Sequence, residues 1–465
     1  MNPLPARLWG KLLEPKTQVE PSRQPFSNQD LKQLIIPLFV EQMLAMLVGI
    51  ADTLMVSYAG EAAVSGVSLV NMLNTFFIFL FTALASGGAV VVSQYIGSRD
   101  GANSNLAAGQ LYTLAFLFSL VCMAATLVWN RPLLGLLFGQ VEPDVMEASA
   151  IYLRISAYSY PFLALYNAGA ALYRCMSKTK VTMQISLVMN AINVAGNAIG
   201  IFVLHAGVAG VAWPSTISRA FAAVAMTALC FSQKNQVRLL WKDLLTWNSS
   251  MVRRLLRIAV PNSIENGLFQ LAKVALSSIT AMFGTVQIAA NAVANNLDGL
   301  GVLAGAAMNL AILTVVGRCV GAHDNDQVRY YTRKLLKIEY AMMVVVNVVL
   351  LAALPLILNL YTLSPASREL ATQLIFIHDG FAMLLWPLAL SMPNALRAAN
   401  DVKFTMVLSI GSMVCFRIAL SYVVGVRMGY GALGVWFAML VDWAVRAAVY
   451  MWRFEKGKWE SMARI

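Results

Sequence analysis

The sequence predicts an all-α polytopic membrane protein of about twelve transmembrane helices, arranged as two parallel six-helix repeats. Three observations carry that expectation. Of the 465 residues, 59% are hydrophobic and only 12% charged, with a mean hydropathy of +0.67, whereas a soluble globular chain carries about 25% charged residues. Apolar windows of roughly 20 or more residues, the length a helix needs to cross the hydrocarbon, recur along nearly the whole chain. Landmarks of the first half also return in the second at a near-constant offset, the mark of a transporter built by duplication.

The expected spans cover 34–58, 64–96, 105–129, 145–173, 181–204, 208–231, 254–283, 287–317, 335–359, 370–396, 404–426 and 432–452. "PLFVE" answers "PNSIE", pairing Pro37 with Pro261 and Glu41 with Glu265 at an offset of 224. "QYIGSRD" (94–100) faces "RCVGAHD" (318–324), and "GVAGVAW" (207–213) faces "GALGVWF" (431–437), at the same offset. "ALYRCMSKTKVTM" faces "ALRAANDVKFTM" with Arg174 on Arg397, at 223. An even number of spans per half makes both halves insert in the same sense, related by an axis along the membrane normal. The expected organisation is a cytoplasmic tail over 1–30, an N-lobe over 31–231, a basic linker over 232–253, a C-lobe over 254–452 and a second tail over 453–465.

Charge placement supplies the orientation. With the N-terminus inside, the cytoplasmic loops hold Arg99, Arg174, Lys178, Lys180, the basic stretch 232–257, Arg318, Arg329, Arg333, Arg397, Lys403 and the C-terminal cluster. The opposite loops hold Arg131, Arg368 and Arg427. Short loops rich in Lys and Arg stay cytoplasmic, so both termini are expected inside. The net charge of +12 follows from that topology and from anionic lipid, and no nucleic-acid partner is expected. The first 30 residues contain prolines and no apolar core of a cleavable signal. Five scattered cysteines without CxxC pairing and three dispersed histidines imply neither a disulfide nor a zinc site. No GxxxxGK[ST] phosphate loop occurs, so the energy source is expected to be an ion gradient.

Within this apolar frame a few polar residues stand out. Asp52 lies inside the first span, roughly 10 Å below its outer end at 1.5 Å per residue. A carboxylate at mid-bilayer costs about 2.5 to 3.5 kcal/mol, so it is expected to face a cavity, a partner or a cation. Asn197 and Ser215 fall at a similar depth in spans five and six, and Asn190, Asn193 and Asn197 recur at i, i+3 and i+7 on one helix face. One carboxylate with amide and hydroxyl oxygens suits a proton or a small cation; interhelical hydrogen bonding is the alternative role for the asparagines. Glu41 sits eleven residues before Asp52 on the same face, about 16 Å away. It and Glu265 are read either as structural or gating residues or as ion handlers. The second lobe has Leu276 where the repeat would place an aspartate; its polar residues are Lys273, Asp298, His378 and Asp379, all roughly 10 to 16 Å deep. A buried Lys273 calls for Asp298 or Asp379 as counter-charge, in a structural pair or in a second proton or substrate site. Asp442 and Arg446 read as a local i, i+4 pair. Twenty-four methionines and ten tryptophans suit an adaptable cavity, although core filling and interfacial belts account for them equally well.

"IIPLFVEQMLAMLVGIADTLMVSYAG", the "GGAVVVSQYIG" that ends span two, "YRCMSKTK", "NAINVAGNAIGIF", "GVAGVAWPSTIS" and "PNALRAANDVKFTM" resemble the multidrug and toxic compound extrusion (MATE) family over roughly residues 31–454. The resemblance implies a two-lobed secondary antiporter. Such a protein expels organic cations or other amphipathic compounds in exchange for H⁺ or Na⁺, and is neither an enzyme nor cofactor-dependent. Asp52 matches the family's first-helix aspartate, while Asn193, Asn197 and Ser215 match its polar positions in helices five and six. At Asn197 the chain departs from members that carry a second carboxylate there, and Glu265 lies one turn from the family's seventh-helix glutamate. The expected partners are small amphipathic or cationic substrates and the lipid bilayer, and the expected form is a monomer in the cytoplasmic membrane. No metal is expected beyond Na⁺ at Asp52. The rival readings are a lipid-linked saccharide flippase of the wider superfamily, against which the membrane-embedded acids argue, and a channel or scaffold.

Overall fold

A computed structural model describes residue 15 and residues 24–139, 141–361 and 363–463. Most of the expected N-terminal tail and the last two residues of the C-terminal tail lie outside the described residues. The described chain is helical throughout, with no strand among the described residues. Its elements are α1 Asn28–Ser57, α2 Glu61–Gly97, α3 Gly101–Val128, α4 Asn130–Phe138, α5 Pro143–Tyr158, α6 Tyr160–Cys175, α7 Thr179–Ala198, α8 Ala209–Cys230, α9 Trp241–Leu245, α10 Ser249–Ala281, α11 Thr285–Gly301, α12 Leu303–Gly321, α13 Asn325–Leu358, α14 Pro365–Trp386, α15 Met392–Ala398, α16 Val402–Ser412 and α17 Gly431–Glu455.

Each expected span coincides with one of these helices or with a pair of them, and the eleventh continues from α16 through two π-helical segments, Met413–Ala419 and Tyr422–Arg427. Nine are long and apolar enough to cross a membrane among the described residues; the remaining expected spans are helices that are broken or richer in polar residues. The fourth is split at Ser159, just before Pro161, into α5 and α6. The eighth is split into α11 and α12 at Val302, where Asn347 Nδ2 takes the Gly301 carbonyl at 3.0 Å and so competes for the helical ladder. Gly301 allows this, because a Cβ there would meet Asn347 Oδ1 at 2.7 Å and Asp379 Oδ1 at 2.9 Å. The tenth passes from α14 through a π-helical turn, Pro387–Ser391, into α15. Proline cannot donate to the ladder, and the wider turn absorbs the defect. The short helices α4 and α9 were not expected from apolar length, since each is below ten residues.

The duplication is visible in the backbone itself. Left-handed residues fall at repeat-equivalent positions: Gly60 (φ 105°) and Gly284 (φ 90°), Arg99 (59°) and His323 (56°), Ser177 (59°) and Asn400 (67°). In both halves the next helix is then capped by an aspartate. Asp100 accepts from Asn103 N at 3.0 Å and Asp324 from Gln327 N at 3.1 Å. The Asn103 backbone and side-chain N–H groups hold the Asp100 carboxyl below the usual carboxylate range. In both halves, too, a helix pair crosses at glycines. A Cβ on Gly200 would lie 2.1 Å from the Gly210 carbonyl oxygen, and one on Gly434 would lie 2.8 Å from Gly425 Cα. Small residues let backbones approach where lipid leaves no hydrophobic driving force between helices.

The chain divides into two compact units. One is Asn28–Gly267; the other is Leu268–Ile465 together with the segment ending at Ser27. The division falls within α10, beyond the sequence boundary expected at 254. The first turns of α10 pack on α2: Asn262 Nδ2 donates to the Ala83 carbonyl at 2.8 Å, and a Cβ on Gly87 would collide with Ala259 at 2.6 Å. Phe26 joins the second unit through Tyr331, whose hydroxyl lies 3.1 Å from the Phe26 N–H and 2.6 Å from its carbonyl.

In the second unit Asp442 does more than pair locally with Arg446 (2.8 Å). Ser412 donates to the same carboxylate, Arg417 lies 3.9 Å from its other oxygen, and Arg446 Nη2 donates to the Ser409 carbonyl at 2.9 Å. This buried network ties α16 and the π-helical turn after it, Met413–Ala419, to α17. Asp442→Asn leaves two buried guanidinium groups without a charge partner, and a loss of about 3 to 5 kcal/mol is expected. Thermal unfolding in detergent measures it, against Arg131→Gln, which removes an exposed pair with Glu147 and should shift stability by at most about 0.5 kcal/mol.

Candidate functional site

The first unit encloses a polar cavity of about 220 Å³ bordered by Asp52, Asn71, Asn74, Asn193, Ser215 and Arg219. The asparagine face of α7 meets α1 here. Asn197 Nδ2 donates to Asp52 Oδ1 at 2.7 Å and Asn193 Nδ2 to Asp52 Oδ2 at 3.3 Å. Ser215 on α8 donates to Asn193 Oδ1 at 3.4 Å and to the Val211 carbonyl at 3.1 Å. Both Asp52 oxygens therefore receive an amide N–H, and a hydroxyl orients one of the amides in turn. Asn190, three residues earlier on the same face, is buried, and its amide nitrogen meets no partner among the described residues. It does not reach Asp52.

The opposite wall is polar as well. Asn74 on α2 donates to Ser156 Oγ at 3.2 Å and accepts from Tyr160 Oη at 3.1 Å, and Tyr152 donates to Asn71 Oδ1 at 3.3 Å. Arg219, one turn beyond Ser215, donates to Ser159 Oγ at 2.7 Å. It borders the cavity with Asp52 as the acid lining it. Sequence reasoning missed Arg219, Asn71 and Asn74. An arginine interrupting the apolar run of span six is the same signal that singled out Asp52, read for the other sign of charge.

Glu41 stands apart from this cavity. Buried at 6% exposure, it accepts from Arg174 Nη2 at 3.1 Å and from Thr182 Oγ1 at 3.1 Å, tying α1 to α6 and α7. The equivalent arginine of the second half, Arg397, donates to Asn394 Oδ1 at 2.6 Å, and Glu265 is half-buried on α10.

The second unit brings Asp298, His378 and Asp379 into direct contact, with Lys273 acting on Asp298 at longer range. His378, 1% exposed, places Nε2 2.6 Å from Asp298 Oδ1 and Nδ1 2.8 Å from Asp379 Oδ1. Trp436 and Trp443 meet its ring edge-on at 5.3 and 5.2 Å. Asp298, the counter-charge expected for Lys273, interacts with it electrostatically but forms its short contact with His378. Both carboxylates are engaged by the imidazole, and the Lys273 ammonium lies 5.3 Å from the Phe269 ring centroid. Among the described residues it makes no direct salt bridge, and its charge acts on Asp298 at longer range. Two further ionisable residues inside expected spans escaped sequence reasoning. Arg417 lies 5.2 Å over the Phe269 ring, and the fully buried Glu339 accepts from Ser391 Oγ at 2.5 Å. A double-mutant cycle between His378→Ala and Asp298→Asn should show a coupling of about 1 kcal/mol or more in thermal unfolding.

The MatE family model matches residues 37–199 and again 261–423, the second match beginning 224 residues after the first. The chain is 27% identical over 447 residues to the uncharacterized transporter YisQ of Bacillus subtilis, covering 95% of this chain and 96% of that protein. It is 24% identical to a probable multidrug resistance protein NorM of Thermotoga maritima, covering 94% of each. It is 22% identical to the mouse multidrug and toxin extrusion protein 2, covering 92% of this chain and 74% of that one. Among solved structures, a MOP superfamily transporter from Pyrococcus furiosus superposes with a TM-score of 0.86 at 18% identity, over 98% of both chains. An outward-facing multidrug resistance MATE family transporter superposes with a TM-score of 0.85 at 18% identity, over 94% and 97%. With the family model matching two stretches that together cover well over half of the chain, and with its repeated helical membrane fold, the chain belongs to the MatE family of multidrug efflux transporters.

Proposed function

We propose that this transporter is a proton-coupled antiporter of the cytoplasmic membrane, exporting organic cations or other amphipathic compounds by alternating access of its two lobes. Both termini lie in the cytoplasm and the monomer is the working unit in this reading. One observation carries it: the carboxylate of Asp52, inside a membrane-crossing helix, is held by two neutral amides at the edge of a cavity. Arginine stays charged at any working pH and would neutralise a carboxylate permanently; amides hold it in place yet leave it free to change charge. The multidrug names of the relatives supply the substrate class, and the basic loops supply the orientation.

The direction of the hydrogen bonds favours H⁺ over Na⁺. A sodium site needs converging oxygens, whereas here amide hydrogens converge on Asp52. The amide oxygen of Asn193 accepts from Ser215. Arg219 would also repel a metal cation from the same cavity. At about 220 Å³ the cavity is below the roughly 300 Å³ of drug-sized pockets, which supports reading it as the coupling site.

Exchange then follows from charge. With Asp52 ionised, its charge offsets that of Arg219; once protonated, the cavity carries a net positive charge that weakens the hold on a cationic substrate nearby. Proton and substrate therefore reduce each other's affinity by the same factor. Pro37 lies inside α1, fifteen residues before Asp52, and its missing N–H lets that helix bend as the site changes charge. The alternative, a lipid-linked saccharide flippase, draws on Arg219 as a phosphate-binding group, and Asp52 beside it opposes an anionic head group.

In liposomes loaded with a fluorescent cationic dye, a pH gradient should drive efflux and a Na⁺ gradient should not. Asp52→Asn should abolish efflux while leaving elution and unfolding temperature unchanged; full transport by that variant would defeat the proposal. Dye affinity in nanodiscs should fall as pH is lowered through the titration of Asp52, by about fivefold to a hundredfold. In Asp52→Asn it should be flat with pH. A wild-type affinity indifferent to pH but sensitive to Na⁺ would move the assignment to sodium.

A further inference from the structure

The linker between α8 and α10 is held in place without using its outward side chains. Gln110 on α3 donates to the carbonyls of Asp243 (2.6 Å) and Thr246 (2.7 Å) and accepts from Asn248 N (3.1 Å), while Thr113 donates to the Leu244 carbonyl at 3.0 Å. Gly109 permits the close approach, since a Cβ there would lie 2.8 Å from Asp243 Cβ. The same contact turns Asp243, the linker's acid, toward α3. Trp241 is 68% exposed but stacks on Phe231 at 4.8 Å between ring centroids, whereas Leu245 and Trp247 are 81% and 55% exposed. Fixed aromatic and aliphatic side chains are presented here on a rigid backbone.

Beside them lies an open groove of about 460 Å³, with Val252 and Leu256 lining it and Trp247, Arg253 and Arg257 at its sides. Arg253 and Arg257 stand one turn apart on the same face of α10, both exposed. Neither has a hydrogen-bond or carboxylate partner among the described residues. Arg254 between them is occupied, donating to Tyr95 Oη at 2.6 Å and Gln94 Oε1 at 3.4 Å. Lys234 and Lys242 are also exposed nearby in the sequence.

We propose that this groove is a binding site for an anionic phospholipid, with the head-group phosphate held by Arg253 and Arg257 and the first acyl methylenes lying on Val252, Leu256 and Trp247. The linker follows the end of one membrane helix and precedes the start of another, so the groove lies at head-group depth. The guanidinium fork matches a phosphate in two-point contact, and indoles settle at the membrane interface. Two positive charges without a compensating carboxylate select an anionic lipid over a zwitterionic one, because each basic residue near the surface adds attraction to anionic lipid alone. A free phosphate would satisfy the arginines but leave the apolar lining and Trp247 unused.

Native mass spectrometry of the full chain, exchanged into mixed micelles of phosphatidylglycerol and phosphatidylcholine, tests the assignment. Wild type should retain phosphatidylglycerol over phosphatidylcholine by about tenfold, and inorganic phosphate should not displace it. Arg253→Gln with Arg257→Gln should bring that preference close to unity, and Trp247→Ala should weaken retention of both lipids. Arg333→Gln, an exposed arginine of the other unit, should leave it unchanged. Equal retention of the two lipids by wild type, an unchanged preference in the double variant, or displacement of the lipid by inorganic phosphate would each overturn the proposal.

Discussion

Inside a bilayer an ionised carboxylate has no water to stabilise it, so each acid in a membrane-crossing helix needs a partner or a cavity. The chain meets that constraint in two ways. Glu41 is matched by Arg174, Asp442 by Arg446, and Asp298 and Asp379 share His378. Asp52 and Glu339 receive hydrogen bonds from neutral groups instead. Glu339 is sealed from solvent, whereas Asp52 borders a cavity. A guanidinium holds its carboxylate in one charge state, while an amide tolerates either. The helix packing of the first unit is arranged around that distinction: α7 brings its asparagine face to α1, and α8 supplies Ser215 and Arg219.

The two halves keep one scaffold and diverge in chemistry. Turns with left-handed residues, aspartate caps and glycine crossings recur at equivalent positions because each solves a local backbone problem that duplication copied intact. Side chains facing the interior are freer. Leu276 occupies the repeat position of Asp52, and Asp298 that of Asn74. Asn74 hydrogen-bonds neutral groups beside the first unit's cavity, while Asp298 faces an imidazole that a second carboxylate also engages.

The membrane class, the spans and the duplication were legible in the sequence, because hydrocarbon thickness imposes a run length and duplication imposes an offset, and both survive as linear patterns. Asp52 was legible for a related reason: a lone charge in an apolar run is conspicuous, and the asparagine spacing placed three amides on one helix face. The sequence by itself could not say which of those amides reach the acid, since Asn190, Asn193 and Asn197 differ only in depth and rotation against α1. Nor could it say that His378 lies between Asp298 and Asp379, that Arg219 shares the cavity with Asp52, or that the first turns of α10 pack with the first unit. Those outcomes depend on the angle at which helices cross and on where π-helical turns and the break at Gly301 rotate the residues that follow. A one-residue change in helical phase turns a side chain by about 100°, and only tertiary packing sets that phase.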